Sequence, residues 1–292
     1  MTVFQSIVLG LIQGIAEFLP ISSSGHLKIA QELFGLCDVP VLFDVFLHLA
    51  TLLAVVLYFR KVIARLFAIL FRWILRKKEP DLGAHGTQAT DSKIATLAPS
   101  DRAGRATIIM VLVTTAITGV LGIISSKIIP DLPVQAVCMG FLVTAVLLIL
   151  SAVAERKFRR IDENGAIVFS GINLFQAIVI GIAQGVGTLP GISRSGSTIA
   201  GALFCKVDRI TAGDYSFIVS IPAILGAFVL ELKDLGEVSA SIGAVPVILG
   251  CIAAFASGFA SLSILMKLIN KGKLEFFACY LIPVSILLLI LF

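Results

Sequence analysis

The stretch LPGISRSGST, from Leu189 to Thr198, places one arginine among serines, glycines and a threonine between two apolar runs. The chain around it is 58% hydrophobic and 14% charged, whereas a soluble domain is about 45–50% apolar and about 25% charged. This composition predicts an integral membrane protein. A lipid-facing arginine would cost about 2.5–3.5 kcal/mol, so we expect Arg194 to face a protein interior or a water-filled cavity.

Long apolar segments indicate the architecture. Six of them can cross a bilayer: Val41–Phe59, Ala106–Ser125, Val134–Val153, Asp214–Glu231, Ile242–Met266 and Glu275–Phe292. Two others, Val3–Pro20 and Ile172–Pro190, each contain a Gln-Gly pair and a terminal Leu-Pro pair, and each runs into a serine-rich loop. Broken helices of this kind occur at membrane depth where protein or a cavity satisfies the backbone. We predict an all-α polytopic membrane protein with six transmembrane helices and two re-entrant broken helices.

The two broken segments resemble each other at an offset of 171 residues, which carries Gln13 onto Gln184 and one Ser-x-Ser-Gly group onto the other. Such a match indicates an internal duplication. We predict one membrane domain built from a first repeat over residues 1–153 and a second over residues 154–292. Each repeat holds one re-entrant segment and three spans. Because three is odd, the second repeat is expected to be inverted relative to the first.

Loop charges predict the orientation. A linker at about 60–105 holds ten basic residues against four acidic ones, and the positive-inside rule places it in the cytoplasm. The loops that follow alternate between lysine-poor and lysine-rich or arginine-rich composition, in agreement with this placement. Both termini are then expected outside. A solvated loop beside anionic headgroups explains the linker better than a nucleic-acid role.

Polar residues collect in the two loops. The first reads QGIAEFLPISSSGHL from Gln13 to Leu27, and Gln13 and Glu17 share a face if they are helical. The second offers Thr188, Ser193, Arg194, Ser195, Ser197 and Thr198. An ion pair of Glu17 with Arg194 that only locks the loops together is one interpretation, but it requires neither the hydroxyls nor a histidine. His48 lies on an apolar span, and a packing role is favoured for it.

These residue types suit phosphate chemistry. Arg194 offers a guanidinium fork for bidentate contact, and Gly191 and Gly196 allow backbone N–H groups to approach the same anion. Serine hydroxyls near His26 provide a nucleophile with a base, or a histidine that attacks directly. Glu17 is placed to orient the imidazole or to bind a divalent cation. The loops therefore favour phosphoryl transfer.

The two loops resemble the signature motifs of bacterial undecaprenyl-diphosphate phosphatases, the bacitracin-resistance phosphatase family. These motifs are an (E/Q)xxxE stretch leading to a serine-rich loop with Gly-His, and a PGxSRSxxT stretch. The similarity also runs through FDVFLHLATLLAVVLYFRK and AGDYSFIVSIPAILGA, and so covers nearly the whole chain apart from Lys77–Asp101. It implies an enzyme of the bacterial cytoplasmic membrane, with its active site open to the extracytoplasmic face. It also implies cleavage of undecaprenyl diphosphate to the monophosphate and phosphate, which recycles the carrier for peptidoglycan synthesis and confers bacitracin resistance.

The resemblance also implies roles for single residues. Ser23 takes the position of the proposed nucleophile, His26 that of the catalytic histidine, and Gln13 and Glu17 those of an acidic pair. The expected substrate-binding residues are Arg194, Ser193, Ser195, Thr198, Ser22, Ser24, Gly191 and Gly196. Gln13 departs from family members that have glutamate there, so a cation, Mg²⁺ or Ca²⁺, would have Glu17, the Gln13 amide and substrate oxygens as ligands.

Other functional classes fit the same pattern. Inverted repeats with broken helices also build secondary transporters, so a carrier of a phosphorylated anion or a flippase for a lipid phosphate is the alternative. A non-catalytic lipid-binding scaffold is a third reading. The expected partners are a polyprenyl diphosphate, membrane lipid and a second copy of the chain in a homodimer, and no nucleic acid is expected.

Overall fold

The computed structural model describes residues 1–36, 39, 41–77, 92–128, 132–158, 171–231 and 243–292. The regular structure of these ranges is entirely α-helical, as the apolar composition predicted. The helices are α1 Val3–Phe18, α2 Ser23–Leu33, α3 Val41–Tyr58, α4 Arg60–Ile74, α5 Ser92–Leu97, α6 Asp101–Ile128, α7 Val134–Phe158, α8 Leu174–Val186, α9 Arg194–Phe204, α10 Arg209–Glu231, α11 Ala244–Asn270 and α12 Glu275–Leu291.

Several of these helices have the length and apolarity to cross a membrane. Within the described residues α6, α7, α10 and α11 do so alone, and α3 with α4 adds a fifth candidate as a bent pair. The predicted polytopic membrane protein is confirmed. The count of six spans and two re-entrant segments stays a prediction, because α12 belongs with α1 and α8 among the shorter apolar helices. Ile242, the predicted start of one span, lies outside the described residues.

Both broken segments consist of two short helices, α1 with α2 and α8 with α9. Capping boxes open the first helix of each pair, with Thr2 before α1 and Asn173 before α8. Serine side chains open the second helices, because Ser22 accepts a hydrogen bond at the start of α2 and Ser193 at the start of α9. The serine-rich loops therefore restart each helix within the apolar part of the molecule.

Close helix packing holds the broken segments in place. Helix α1 packs along α11, and α8 packs along α6. At the first of these contacts a Cβ on Gly10 would lie 2.2 Å from the Gly250 carbonyl oxygen, so the two backbones touch where no side chain fits. Ser6 Oγ also donates a 2.5 Å hydrogen bond to the Pro246 carbonyl. Each broken segment is thus held by a helix from the other predicted repeat, although the division into repeats stays a prediction.

The predicted linker at about 60–105 is more ordered than a solvated loop. Helix α4 bends away from α3 by 79° and buries Val62 and Ile69. Arg72 donates hydrogen bonds of 2.8 and 2.7 Å to the Asp101 carboxylate, and Arg65 lies 3.2 Å from the same group. Helix α4 was not predicted from the sequence, although apolar and basic residues alternate at helical spacing in this segment. Residues 78–91, the centre of the linker, lie outside the described residues.

The contact between α1 and α11 generates a test of the fold. Gly10→Ala is expected to lower the melting temperature in detergent by about 5 °C, because an added methyl group overlaps backbone and overpacking costs about 1–3 kcal/mol. Gly119→Ala is the matched control, since it also lies inside a helix and an added Cβ there meets nothing within 4 Å. Equal shifts for the two variants in a thermal unfolding assay would contradict this packing.

Candidate active site

A cavity of about 390 Å³ lies where the two broken segments meet α3, α6 and α10. Its polar lining includes Glu17, Ser23, Ser24, His48, Ser193 and Arg194. Apolar side chains of α3 and α10, among them Val45 and Ile224, line the rest of it. The cavity thus combines a charged region with an apolar wall, and its volume is that of a small-molecule site.

Glu17 is the centre of the polar region, and its side chain is almost fully buried. Its carboxylate accepts a 2.9 Å hydrogen bond from Gln13 Nε2 and a 2.6 Å bond from Ser23 Oγ. Arg194 Nη2 is hydrogen-bonded to Glu17 Oε1, and His48 Nε2 lies 3.4 Å from Glu17 Oε2, the oxygen that Gln13 and Ser23 contact. A buried carboxylate is tolerated only when such partners surround it. Glu17 therefore gathers four polar side chains at one point.

Local helix geometry explains this convergence. Gln13 and Glu17 lie four residues apart on α1, so their side chains share a face, as predicted, and the structure adds a hydrogen bond between them. Ser23 and Arg194 are the first residues of α2 and α9. Both helix starts therefore point toward the end of α1. The ion pair between Glu17 and Arg194, raised as an interpretation of the sequence, is present.

Other predicted residues of the second loop support the start of α9. Ser193 lines the cavity, and its Oγ accepts a 3.1 Å hydrogen bond from the Gly196 amide. Ser195 Oγ lies 3.2 Å from Ser193 Oγ. Thr198 Oγ1 donates to the carbonyl groups of Arg194 and Ser195 at 3.0 Å. Ser195 and Thr198 lie outside the cavity lining, so a direct role for them in phosphate binding stays a prediction.

The glycines of the second loop permit close approach of neighbouring elements. Gly191 has a φ of +89°, and a Cβ there would lie 2.2 Å from the Val137 carbonyl oxygen of α7. Any other residue would be strained and would overlap that backbone. A Cβ on Gly196 would lie 3.2 Å from Pro20 in the first loop. Gly191 thus allows the second loop to lie against α7, and Gly196 allows it to lie against the first loop. Their contact with phosphate stays a prediction.

In the first loop, Ser24 lines the cavity, whereas Ser22 is a buried cap. His26 lies outside the lining. Its Nδ1 is 2.8 Å from the Ser22 carbonyl oxygen and its Nε2 is 2.9 Å from Tyr280 Oη, and its ring stacks on that tyrosine. His26 is therefore held by its own contacts three residues along α2 from Ser23.

His48 lines the cavity, although its sequence context favoured a packing role. Its Nδ1 lies 2.7 Å from the Asp44 carbonyl oxygen, while Nε2 faces Glu17. Both ring nitrogens of His48 therefore face oxygen atoms. The Asp44 side chain also lines the cavity. The spacing of Asp44 and His48 by four residues on an apolar helix was the signal that the sequence offered.

Two further polar residues of the lining were missed, Thr118 on α6 and Gln184 on α8. Gln184 Nε2 donates a 3.0 Å hydrogen bond to Thr118 Oγ1. Gln184 is the counterpart of Gln13 at the offset of 171 residues, so the repeat itself was the signal that marked it.

The donors around Glu17 bear on the predicted divalent cation. Gln13 turns its amide nitrogen toward the carboxylate, and Ser23 and Arg194 also present hydrogen atoms to it. Within the described ranges no group of three or more His, Cys, Asp or Glu side chains could hold a metal ion. Hydrogen-bond donors directed at Glu17 fit the negative charge of its carboxylate rather than a bound cation. The cation at Glu17 and Gln13 stays a prediction, and no step proposed below passes through it.

This chain is similar to known proteins along almost its full length. The family model described as bacitracin resistance protein BacA matches residues 6–287. The undecaprenyl-diphosphatase of Treponema denticola is 42% identical over 292 residues, which are 100% of this chain and 98% of that protein. The undecaprenyl-diphosphatase of Borrelia recurrentis is 34% identical over 97% of this chain and 96% of its own length. That of Desulfosudis oleivorans is 37% identical over 94% and 93%.

The buried ion pair generates a stability test. Glu17→Ala leaves Arg194 without its carboxylate in a site that is only 19% exposed at the arginine side chain, and removing one partner of a buried pair costs about 3–5 kcal/mol. Adding Arg194→Met is expected to recover at least half of the lost melting temperature. As a control, Glu275→Ala breaks the more exposed pair with Arg156 and should change little. A double variant no more stable than Glu17→Ala would show that the two side chains are not coupled.

Proposed function

This chain belongs to the bacitracin resistance protein BacA family, and we propose that it hydrolyses undecaprenyl diphosphate to undecaprenyl phosphate and inorganic phosphate. The relatives described above carry the name of that phosphatase and match nearly all of this chain. The observation that carries the proposal is the contact of Ser23 and Arg194 with one buried carboxylate in the cavity wall. Loss of the terminal phosphate regenerates the monophosphate carrier for cell-wall synthesis and so supports bacitracin resistance.

Arg194 is the group proposed to bind the terminal phosphate. Its guanidinium pairs with Glu17, and phosphate oxygens offer a bidentate partner with more charge. Ser193 and Ser24 supply further hydroxyls in the lining. The apolar side chains of Val45 and Ile224 fit the first part of a prenyl chain, which places the reacting head among the polar groups.

Ser23 is the proposed nucleophile, with Glu17 as its base. The 2.6 Å hydrogen bond from Ser23 Oγ to Glu17 provides a direct path for the proton. The Ser23 oxygen forms a bond to the terminal phosphorus as the bond from that phosphorus to the bridging oxygen breaks. Undecaprenyl phosphate leaves as an anion, and Arg194 stabilises the charge on the transferring group. Water then cleaves the phosphoserine.

His26 is proposed to return the proton to solvent. It lies one turn from Ser23, and its Nε2 contacts Tyr280 Oη at 2.9 Å. His48 has a different proposed role, since it faces Glu17 rather than Ser23. It holds the Glu17 carboxylate in the orientation that accepts the serine proton, and it is therefore a positioning residue.

The alternative of a transporter or flippase for a phosphorylated anion is not favoured, because the relatives reported above are phosphatases by name. We place the proposed enzyme in the bacterial cytoplasmic membrane, with the cavity open to the extracytoplasmic face and the basic linker at about 60–105 in the cytoplasm. Loop charge supports this orientation. A homodimer stays a prediction.

The nucleophile generates the first test of the proposed function. Purified wild-type protein in detergent micelles should release phosphate from undecaprenyl diphosphate without any gradient across a membrane. Ser23→Ala should lower kcat by about 10³-fold or more, because the covalent step is lost. Ser22→Ala is the neighbouring control, since Ser22 caps α2 and should affect stability more than the chemical step. Turnover of Ser23→Ala at a rate near that of the wild type would remove the nucleophile assignment.

The positioning role of His48 generates a second test. His48→Gln keeps an N–H donor near Glu17 and should retain kcat/KM within about 10-fold, whereas His48→Leu should lose about 10²-fold through misplacement of the carboxylate. The measurement is steady-state phosphate release together with the melting temperature. If the two variants were equally impaired at equal stability, the polar contact with Glu17 would not be the function of His48.

A further inference from the structure

Gln184 has a buried side-chain amide beside the cavity. Its side chain is fully buried and contributes to the cavity wall. Gln184 Nε2 donates a 3.0 Å hydrogen bond to Thr118 Oγ1. The Thr118 hydroxyl proton is directed to carbonyl oxygens, with Thr114 O at 2.9 Å and Gly181 O at 3.2 Å. Thr118 Oγ1 can therefore only accept a hydrogen bond from the Gln184 amide. This fixes the Gln184 Nε2 atom toward α6 and leaves Gln184 Oε1 as the side-chain atom without an assigned contact.

The Gln184 Oε1 atom finds no hydrogen-bond partner among the described residues. A buried acceptor left without a donor costs about 1–3 kcal/mol, so it is expected to meet a donor that enters the cavity. Gln13 Nε2, Ser23 Oγ and Arg194 Nη2 are directed to Glu17 instead. A diphosphate ester carries only acceptor oxygens when ionised, so the substrate itself does not supply this donor.

Water is the remaining reactant that carries hydrogens. We propose that Gln184 Oε1 holds and orients the water that cleaves the phosphoserine formed on Ser23, which rests on the proposed phosphatase function. One hydrogen of this water is bonded to Gln184, which leaves an oxygen lone pair free to point at phosphorus. An amide oxygen suits this task because it orients water without carrying a negative charge that would repel phosphate.

The water oxygen forms a bond to phosphorus as the bond between phosphorus and Ser23 Oγ breaks. Glu17 received the Ser23 proton in the first half of the reaction and has released it to solvent before this step. It can therefore take a proton from the attacking water. Glu17 passes that proton to the departing Ser23 oxygen, which restores the free serine and carboxylate, and inorganic phosphate leaves. Gln184 neither gains nor loses a proton.

Pre-steady-state kinetics test this assignment. Gln184→Met keeps the length and volume of the side chain but removes the acceptor. With substrate labelled on the terminal phosphate, it should form undecaprenyl phosphate in a burst of about one equivalent per chain. Steady-state release of phosphate should then be about 10²-fold slower than in the wild type. Acid quenching should trap labelled phosphate on the peptide that contains Ser23.

Two further variants complete the design. Gln176→Met makes the same change on α8 outside the cavity, where the amide donates to the Cys205 carbonyl oxygen, and it should show neither burst nor trapped label. Thr118→Val frees the Gln184 amide to rotate and should produce a smaller version of the burst, which keeps the test available if Gln184→Met fails to fold.

The outcomes separate the two proposals. A burst with trapped phosphoserine in Gln184→Met supports the water-orienting role. Slow turnover without trapped label in both Gln184→Met and Thr118→Val, or unchanged turnover in both, would overturn it. If the wild-type protein releases no phosphate, the proposed phosphatase function itself is wrong.

Discussion

The burial of one carboxylate constrains the whole site. Glu17 lies at the end of α1 inside an apolar protein, and a charge in that position requires hydrogen-bond donors on every side. It obtains them from α1, α2 and α9 through Gln13, Ser23 and Arg194, and His48 of α3 lies 3.4 Å from the same carboxylate. Because Ser23 and Arg194 reach this point from the first residues of α2 and α9, both of these helices have to begin beside the end of α1. The broken helices and the helix-capping serines follow from that requirement.

The same constraint links stability with chemistry. Glu17 pairs with the guanidinium that is proposed to bind phosphate, so carboxylate and phosphate are alternative partners of one cation. In the proposed reaction the substrate replaces Glu17 at Arg194, and the cation keeps an anionic partner throughout. That exchange also frees Glu17 when Ser23 must lose its proton. A single buried pair therefore stabilises the site and holds its proposed base.

The sequence predicted the helices and the two loops because both depend on local patterns. Apolar length marks α6, α7, α10 and α11, and the Leu-Pro pairs mark the breaks. The sequence did not predict the position of His48, because a polar residue on an apolar helix has the same local pattern whether it packs or lines a cavity. Packing between helices that are distant in sequence places His48 in the cavity lining. The Thr198 hydroxyl bonds to the backbone of α9, a contact that the sequence did not indicate, and its role in phosphate binding stays a prediction. Helix α4 was missed because its basic residues suggested solvent, although its apolar residues repeat with helical spacing.

The pairing of α1 with α11 and of α8 with α6 has a consequence for biosynthesis. Helix α1 is synthesised long before the helix that packs along it, because α1 ends at Phe18 and α11 begins at Ala244. Arg194, the partner of Glu17, also lies far from α1 in the sequence. The charged site therefore assembles only after Arg194 and α11 have both been made. A chain that stops before α9 leaves the Glu17 carboxylate without its cation, so an unfinished molecule carries an unpaired charge that a finished one does not.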